Sequence, residues 1–65
     1  MDKLKQLRKR RALTLQELGD AAGVSYNSVW RLEHGKHGAR PSTLRKLAEA
    51  LNVPVEELVE EEVAG

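Results

Sequence analysis

No cysteine, phenylalanine or isoleucine occurs among the 65 residues, and there is one tryptophan, one tyrosine and two prolines. Without cysteine the chain has neither disulfides nor a thiolate metal site, which agrees with a reducing, cytoplasmic setting. With aromatics so scarce, the core falls to ten leucines, six valines and the alanines. A chain this short lies near the lower size limit for folding without staples, so one domain, a helical bundle with short loops, is expected. The opening MDKLKQLRKRRAL lacks the apolar centre of a secretory signal. No apolar run approaches membrane-spanning length, so no membrane partner is expected. Enzyme signatures are missing too: no Gly-x-Ser-x-Gly elbow, phosphate-binding glycine loop, His-Glu-x-x-His or cysteine nucleophile occurs. A bundle of this size has little room for a cleft that encloses a substrate, and no cofactor is expected. His34 and His37 have no third ligand at useful spacing, so no metal site is expected.

Positive charge is missing from one end of the chain and concentrated at the other. Residues 47–65 carry six glutamates (Glu49, Glu56, Glu57, Glu60, Glu61, Glu62) and no Lys or Arg, a net charge of −6. Residues 1–46 carry all eleven Lys and Arg against four acids (Asp2, Glu17, Asp20, Glu33), a net +7. The overall +1 hides this separation. A chain so polarised offers its basic part to a polyanion and its acidic end to water or a protein partner.

What is present is a strong helical pattern, densest in TLQELGDAAGVSYNSVWRLEHG, from Thr14 to Gly35. Thr14 caps a helix over roughly Leu15–Ala22, with Glu17 placed to complete a capping box. Leu15, Leu18 and Ala22 share one face of that helix, and Gly23 ends it in a left-handed conformation. Ser25 caps the next helix, roughly Tyr26–His34, which buries Val29 and Leu32 and stops at Gly35. Two short helices joined at a glycine turn form a unit that can lay its second helix in the major groove of DNA. A first helix is expected from about Asp2 to Arg11, with Leu4 and Leu7 inward. After the loop GKHGARP, Ser42 is placed to cap a fourth helix burying Leu44, Leu47, Ala48 and Leu51. Asn52 suits its left-handed end. Pro54 fits the first turn of a fifth helix, with Val55, Leu58 and Val59 on one side, which frays through EEEVAG over residues 60–65.

These residues make the chain resemble the Cro/CI-type (Xre-like) helix-turn-helix family of DNA-binding repressors. Matching positions are Leu4, Leu7 and Arg8, then Leu13-Thr14, Glu17-Leu18, Gly23-Val24-Ser25, Val29, Leu32-Glu33 and Gly35-Lys36. Pro41, Leu44, Leu47, Ala48 and Leu51-Asn52-Val53 continue the pattern, so the resemblance runs from about Leu4 to Leu58. It implies an all-α, five-helix, lambda-repressor-like domain over residues 1–65, with the helix-turn-helix at helices 2 and 3. It also implies sequence-specific binding of double-stranded DNA by a small transcriptional repressor, cytoplasmic and at the nucleoid. An antitoxin-like or adaptor module that captures a protein through its acidic end is the alternative.

Candidate roles follow from the resemblance, which places Tyr26, Asn27 and Arg31 at base-reading positions, and from side-chain chemistry on the exposed face of helix 3 and the basic surface around it. Base-reading candidates are Ser25, Tyr26, Asn27, Trp30 and Arg31. Asn can pair in bidentate fashion with adenine, and Arg with guanine O6 and N7. Trp30 either packs at the groove edge against sugar or a thymine methyl, or is partly buried between helices. Phosphate candidates are Gln16, Ser28, Lys36, His37, Arg40 and Arg10. Leu15 stands where the family often has a phosphate-donating glutamine, and Gln16 is one residue further on. Gly19 stands where alanine is usual, which points to a close approach of helices 2 and 3. Arg8 and Glu33 match an ion pair that ties helix 1 to the end of helix 3; the other reading is two solvated charges. Apart from the resemblance, Val55, Leu58, Val59 and Val63 form an apolar stripe suited to a weak homodimer that strengthens on DNA; the other reading is that Val55 and Leu58 close the core, Val59 is marginal and Val63 is disordered.

Overall fold

Five helices form where local chemistry starts and stops them: α1 (Asp2–Arg10), α2 (Leu15–Ala22), α3 (Tyr26–Glu33), α4 (Pro41–Leu51) and α5 (Val55–Ala64). The structure, a computed structural model, describes residues 1–35 and 38–64, with side chains through Val59. At the start of α2 the Thr14 hydroxyl accepts from the Glu17 N–H (3.1 Å), and the Glu17 carboxylate accepts from the Thr14 N–H (2.9 Å). This reciprocal pair satisfies two otherwise orphaned donors. Gly23 closes α2 at φ 71°, and the Gly19 carbonyl accepts from the N–H groups of Gly23 and Val24. Ser25 begins α3 by accepting from the Ser28 N–H at 3.2 Å. Asn52 ends α4 at φ 57°, ψ 46°, the left-handed region that Asn tolerates better than most residues.

Several boundaries differ from expectation. Helix α4 starts at Pro41, with Arg40 rather than Ser42 at the cap position. Proline has its φ preset for a helix and no N–H to satisfy, so it takes the first helical position and leaves Ser42 inside the first turn. It also forces Arg40 into the extended conformation (φ −71°, ψ 149°) that a cap requires. Pro54 likewise lies just outside α5, and its carbonyl accepts from the Glu57 N–H at 3.1 Å. Helices α1 and α3 each stop one residue early, at Arg10 and Glu33. The α1 end is a left-handed turn on Ala12 (φ 57°): Ala12 N–H donates to Lys9 O (2.9 Å) and Leu13 N–H to Arg8 O (3.1 Å).

The core is almost entirely leucine. Leu4, Leu7, Leu18, Val29, Leu32, Leu44, Leu47, Ala48, Leu51 and Leu58 are buried, one or more from every helix. Leu13, Leu15, Ala22, Val24, Val53 and Val55 pack around them. Each fully buried leucine contributes about 1.5–3 kcal/mol, which is how a bundle without phenylalanine closes. Helix α2 packs on α3 and α4, α4 on α5, and α1 bridges α3 and α5. The acidic α5 therefore sits on α1 and α4, linked to α1 by Lys3 and Glu57 (3.6 Å). Gly19 is buried in α2, and a Cβ there would lie 2.6 Å from the Val24 carbonyl oxygen. The turn backbone thus rests directly against α2, which sets how closely α3 follows it. No described helix is long and apolar enough to cross a membrane.

Candidate nucleic-acid interface

Helix α3 divides cleanly into an inner and an outer side. Val29, Leu32 and Glu33 are buried. At helical periodicity the positions farthest from these are Asn27, Trp30, Arg31 and His34, spaced three and four residues apart. Asn27, Arg31 and His34 are exposed and Trp30 is half-buried. Tyr26 flanks this stripe with 45 % of its surface exposed. Two amide-or-guanidinium side chains on successive turns of one exposed helix face have the donor and acceptor sets that read base edges.

An ion pair fixes the angle of that face. The Arg8 Nε donates to one Glu33 carboxylate oxygen at 2.6 Å and Nη2 to the other at 3.0 Å. The remaining terminal nitrogen, Nη1, donates to the Leu13 carbonyl at 2.8 Å. The side chains are 11 % and 2 % exposed, so both charges are largely out of water. The hydrogen bond to Glu33 raises the Arg8 guanidinium above its ordinary pKa, and this outweighs the opposing effect of burial. The same end of α3 receives the chain's amino group, which donates to Leu32 O (2.8 Å) and Glu33 O (3.3 Å). A cation is stabilising there because the last carbonyls of a helix carry partial negative charge.

The remaining candidates fall into distinct places. Ser25 is exposed at the α3 cap, and its hydroxyl donates to Ser28 Oγ at 2.8 Å. Ser28 is half-buried and turned toward α4, lining with Val24, Leu32, Gly38, Ala39, Arg40 and Thr43 an open pocket of about 350 Å³. Arg40 is exposed at the N-terminus of α4, beside backbone amides suited to an anion. Gln16 is exposed on α2 but donates to Asp20 within its own helix at 2.9 Å. Leu15 is packed against the core, which accounts for an apolar residue where a polar one is usual. Arg10 is exposed in the last turn of α1. Lys36 and His37 lie outside the described residues, as do the side chains of the predicted stripe beyond Val59. Of that stripe, Leu58 is in the core, Val55 packs against it and Val59 is 39 % exposed. Among the described residues no group of three His, Asp or Glu could hold a metal ion.

Comparison with known proteins agrees with this geometry. A family model described as a helix-turn-helix domain matches residues 2–61. The chain belongs to the helix-turn-helix family. It is similar to the HTH-type transcriptional repressor RghR of Bacillus subtilis, at 44 % identity over 59 residues, covering 89 % of this chain and 44 % of that protein. It is also similar to the HTH-type transcriptional regulator SutR of Escherichia coli, at 41 % identity over 51 residues, covering 78 % of this chain and 29 % of SutR. The chain thus spans less than half the length of these relatives. Among solved structures it is similar to the clp gene regulator ClgR of C. glutamicum, with a TM-score of 0.82, 27 % identity, and coverage of 97 % of this chain and 82 % of that one. The helix-turn-helix of this family member is α2, the Gly23 turn and α3.

Two features of the site are not legible in the sequence. The Leu13 carbonyl completes the Arg8 contacts, and no residue type signals a backbone acceptor. His34 stacks on Trp30, with ring centroids 3.9 Å apart and planes 15° from parallel, and its Nδ1 lies 2.9 Å from the Trp30 carbonyl. The four-residue spacing of two rings on one helix was the available signal.

Proposed function

We propose that this chain is the sequence-specific, double-stranded DNA-binding domain of a transcriptional repressor, with α3 in the major groove. The observation that carries the reading is the exposed stripe on α3, Asn27 and Arg31 beside Tyr26, on a helix held by the Arg8–Glu33 pair. Asn27 and Arg31 read base edges, Tyr26 packs on a thymine methyl, and Ser25 and Trp30 flank them. Arg40, Arg10, Lys36, His37, Gln16 and Ser28 are proposed to contact the backbone. Repression is supported by the similarity to RghR, a transcriptional repressor. Two copies bind adjacent half-sites, because the few base contacts of one α3 supply less discrimination than a genomic site requires.

Selection of bound duplexes from random-sequence DNA tests this directly. Enrichment of one short sequence, repeated as a pseudo-palindrome, is expected. Failure to enrich any sequence overturns the reading and favours the alternative, a module that captures a protein partner through the acidic α5.

A further inference from the structure

Trp30 is the only tryptophan in the chain, and its environment is asymmetric. One face of the indole is covered by the His34 imidazole, in near-parallel contact at 3.9 Å. The imidazole is itself anchored. A carbonyl can only accept, so the 2.9 Å contact to Trp30 O requires the proton on Nδ1. Ring and backbone bond together leave His34 little rotational freedom, and the indole beneath it shares that restriction. The indole Nε1–H has no acceptor among the described residues, and Trp30 is only half-buried, on the outward stripe it shares with Asn27 and Arg31. A half-exposed N–H donor with no acceptor among the described residues is open to a ligand's acceptor, and a tryptophan nitrogen can only donate.

We propose that His34 is a positioning residue for DNA binding: it holds the Trp30 indole so that its N–H donates to a backbone phosphate beside the α3 stripe. The inference rests on the proposed function, since it takes duplex DNA as the ligand of α3. It departs from a base-reading role for Trp30. A donor to phosphate carries no sequence information. Being neutral, it also releases no counterion, so its loss leaves the salt dependence unchanged.

The test combines near-ultraviolet circular dichroism of the free chain with duplex binding by Trp30→Phe, Trp30→Ala, His34→Ala, His34→Phe and the Trp30→Ala/His34→Ala double variant. His34→Ala is expected to diminish the indole bands, and His34→Phe, which keeps a stacking ring, to retain most of them. His34→Ala and Trp30→Phe should each weaken binding about three- to tenfold, as for one hydrogen bond. The loss should be equal on a preferred and an unrelated duplex, with an unchanged salt slope. His34→Phe should recover most of the affinity. The double variant should bind no worse than Trp30→Ala, because His34 acts through the indole. Additive losses, or unchanged affinity in His34→Ala, overturn the positioning role. A wild-type chain that binds duplex without sequence preference overturns the proposed function, while the phosphate contact is still read on that duplex. A chain that binds no duplex overturns both.

Discussion

Arg8 and Glu33, 25 residues apart in sequence, meet as a two-pronged ion pair that clamps α1 to the last turn of α3. Its energetic meaning differs from its geometric one. Two charges removed from water lose hydration that their attraction only partly restores, so the net stabilisation of such a pair is small. Its orienting effect is not small. With Nη1 tied to the Leu13 carbonyl, the guanidinium is held on three nitrogens, and α3 cannot rotate without breaking the fork.

Removing one partner should therefore cost far more than removing both. Glu33→Ala leaves the Arg8 charge without its partner and should destabilise the chain by about 3–5 kcal/mol. An Arg8→Met/Glu33→Leu variant of similar volume should recover much of that loss in thermal melting. Equal losses in the two variants would mean that packing, not an uncompensated charge, sets the cost. Because Arg8 keeps its proton through all ordinary pH, its side of the pair should not titrate between neutral and mildly alkaline conditions.

The end of α1 stores a correctable strain. Ala12 sits at φ 57° in a turn whose N–H groups are satisfied by Lys9 O and Arg8 O. A left-handed non-glycine residue costs about 1–2 kcal/mol, and glycine removes most of it at this position of a helix end. Ala12→Gly should raise stability by about 0.5–1 kcal/mol, read as a higher denaturant midpoint with unchanged slope. A lower midpoint would show that the flexibility glycine adds to the unfolded chain outweighs the relief.

These two sites also mark where sequence stops being legible. The capping box at Thr14 and Glu17, the Ser25 cap, the Gly23 turn and the Asn52 end are local chemistry, and each lies where its residue type pointed. Ser42 misled because a preceding proline competes for the helix start and wins. Ala12 gave no signal, since nothing in an alanine announces a left-handed turn. The α3 stripe was readable from periodicity. The Trp30–His34 stack required the rotamers of both rings, which spacing allows but does not set.

Base reading and backbone anchoring make opposite predictions for two exposed arginines. Arg31→Ala should weaken the preferred duplex by about 1–3 kcal/mol and relax preference at one base position. Arg40→Ala, at the α4 N-terminus, should weaken all duplexes alike and lower the salt slope by about one counterion. Competition binding at several salt concentrations separates them. Should Arg31→Ala also act uniformly on every sequence, Arg31 is a phosphate contact and the reading face must be reassigned to Asn27 and Tyr26.

The proposed assembly on DNA rests on the size of the interface. One domain offers a handful of base contacts worth about 1–3 kcal/mol each. A genomic site needs about 4–10 kcal/mol beyond nonspecific binding. Under the proposed function, a second copy one helical turn away would supply the difference. With Leu58 committed to the core and Val55 packed against it, Val59 is the most open apolar side chain among those described in α5. A contact built around one valine would be small, and because α5 carries acids and no Lys or Arg, a symmetric contact through it would set like charges against each other. Self-association in free solution should therefore be weak and become evident on a duplex with two half-sites. Sedimentation should find monomer alone and two copies on that duplex, and Val59→Lys should reduce cooperativity without altering affinity for a single half-site. Strict one-to-one binding at all protein concentrations would exclude this arrangement.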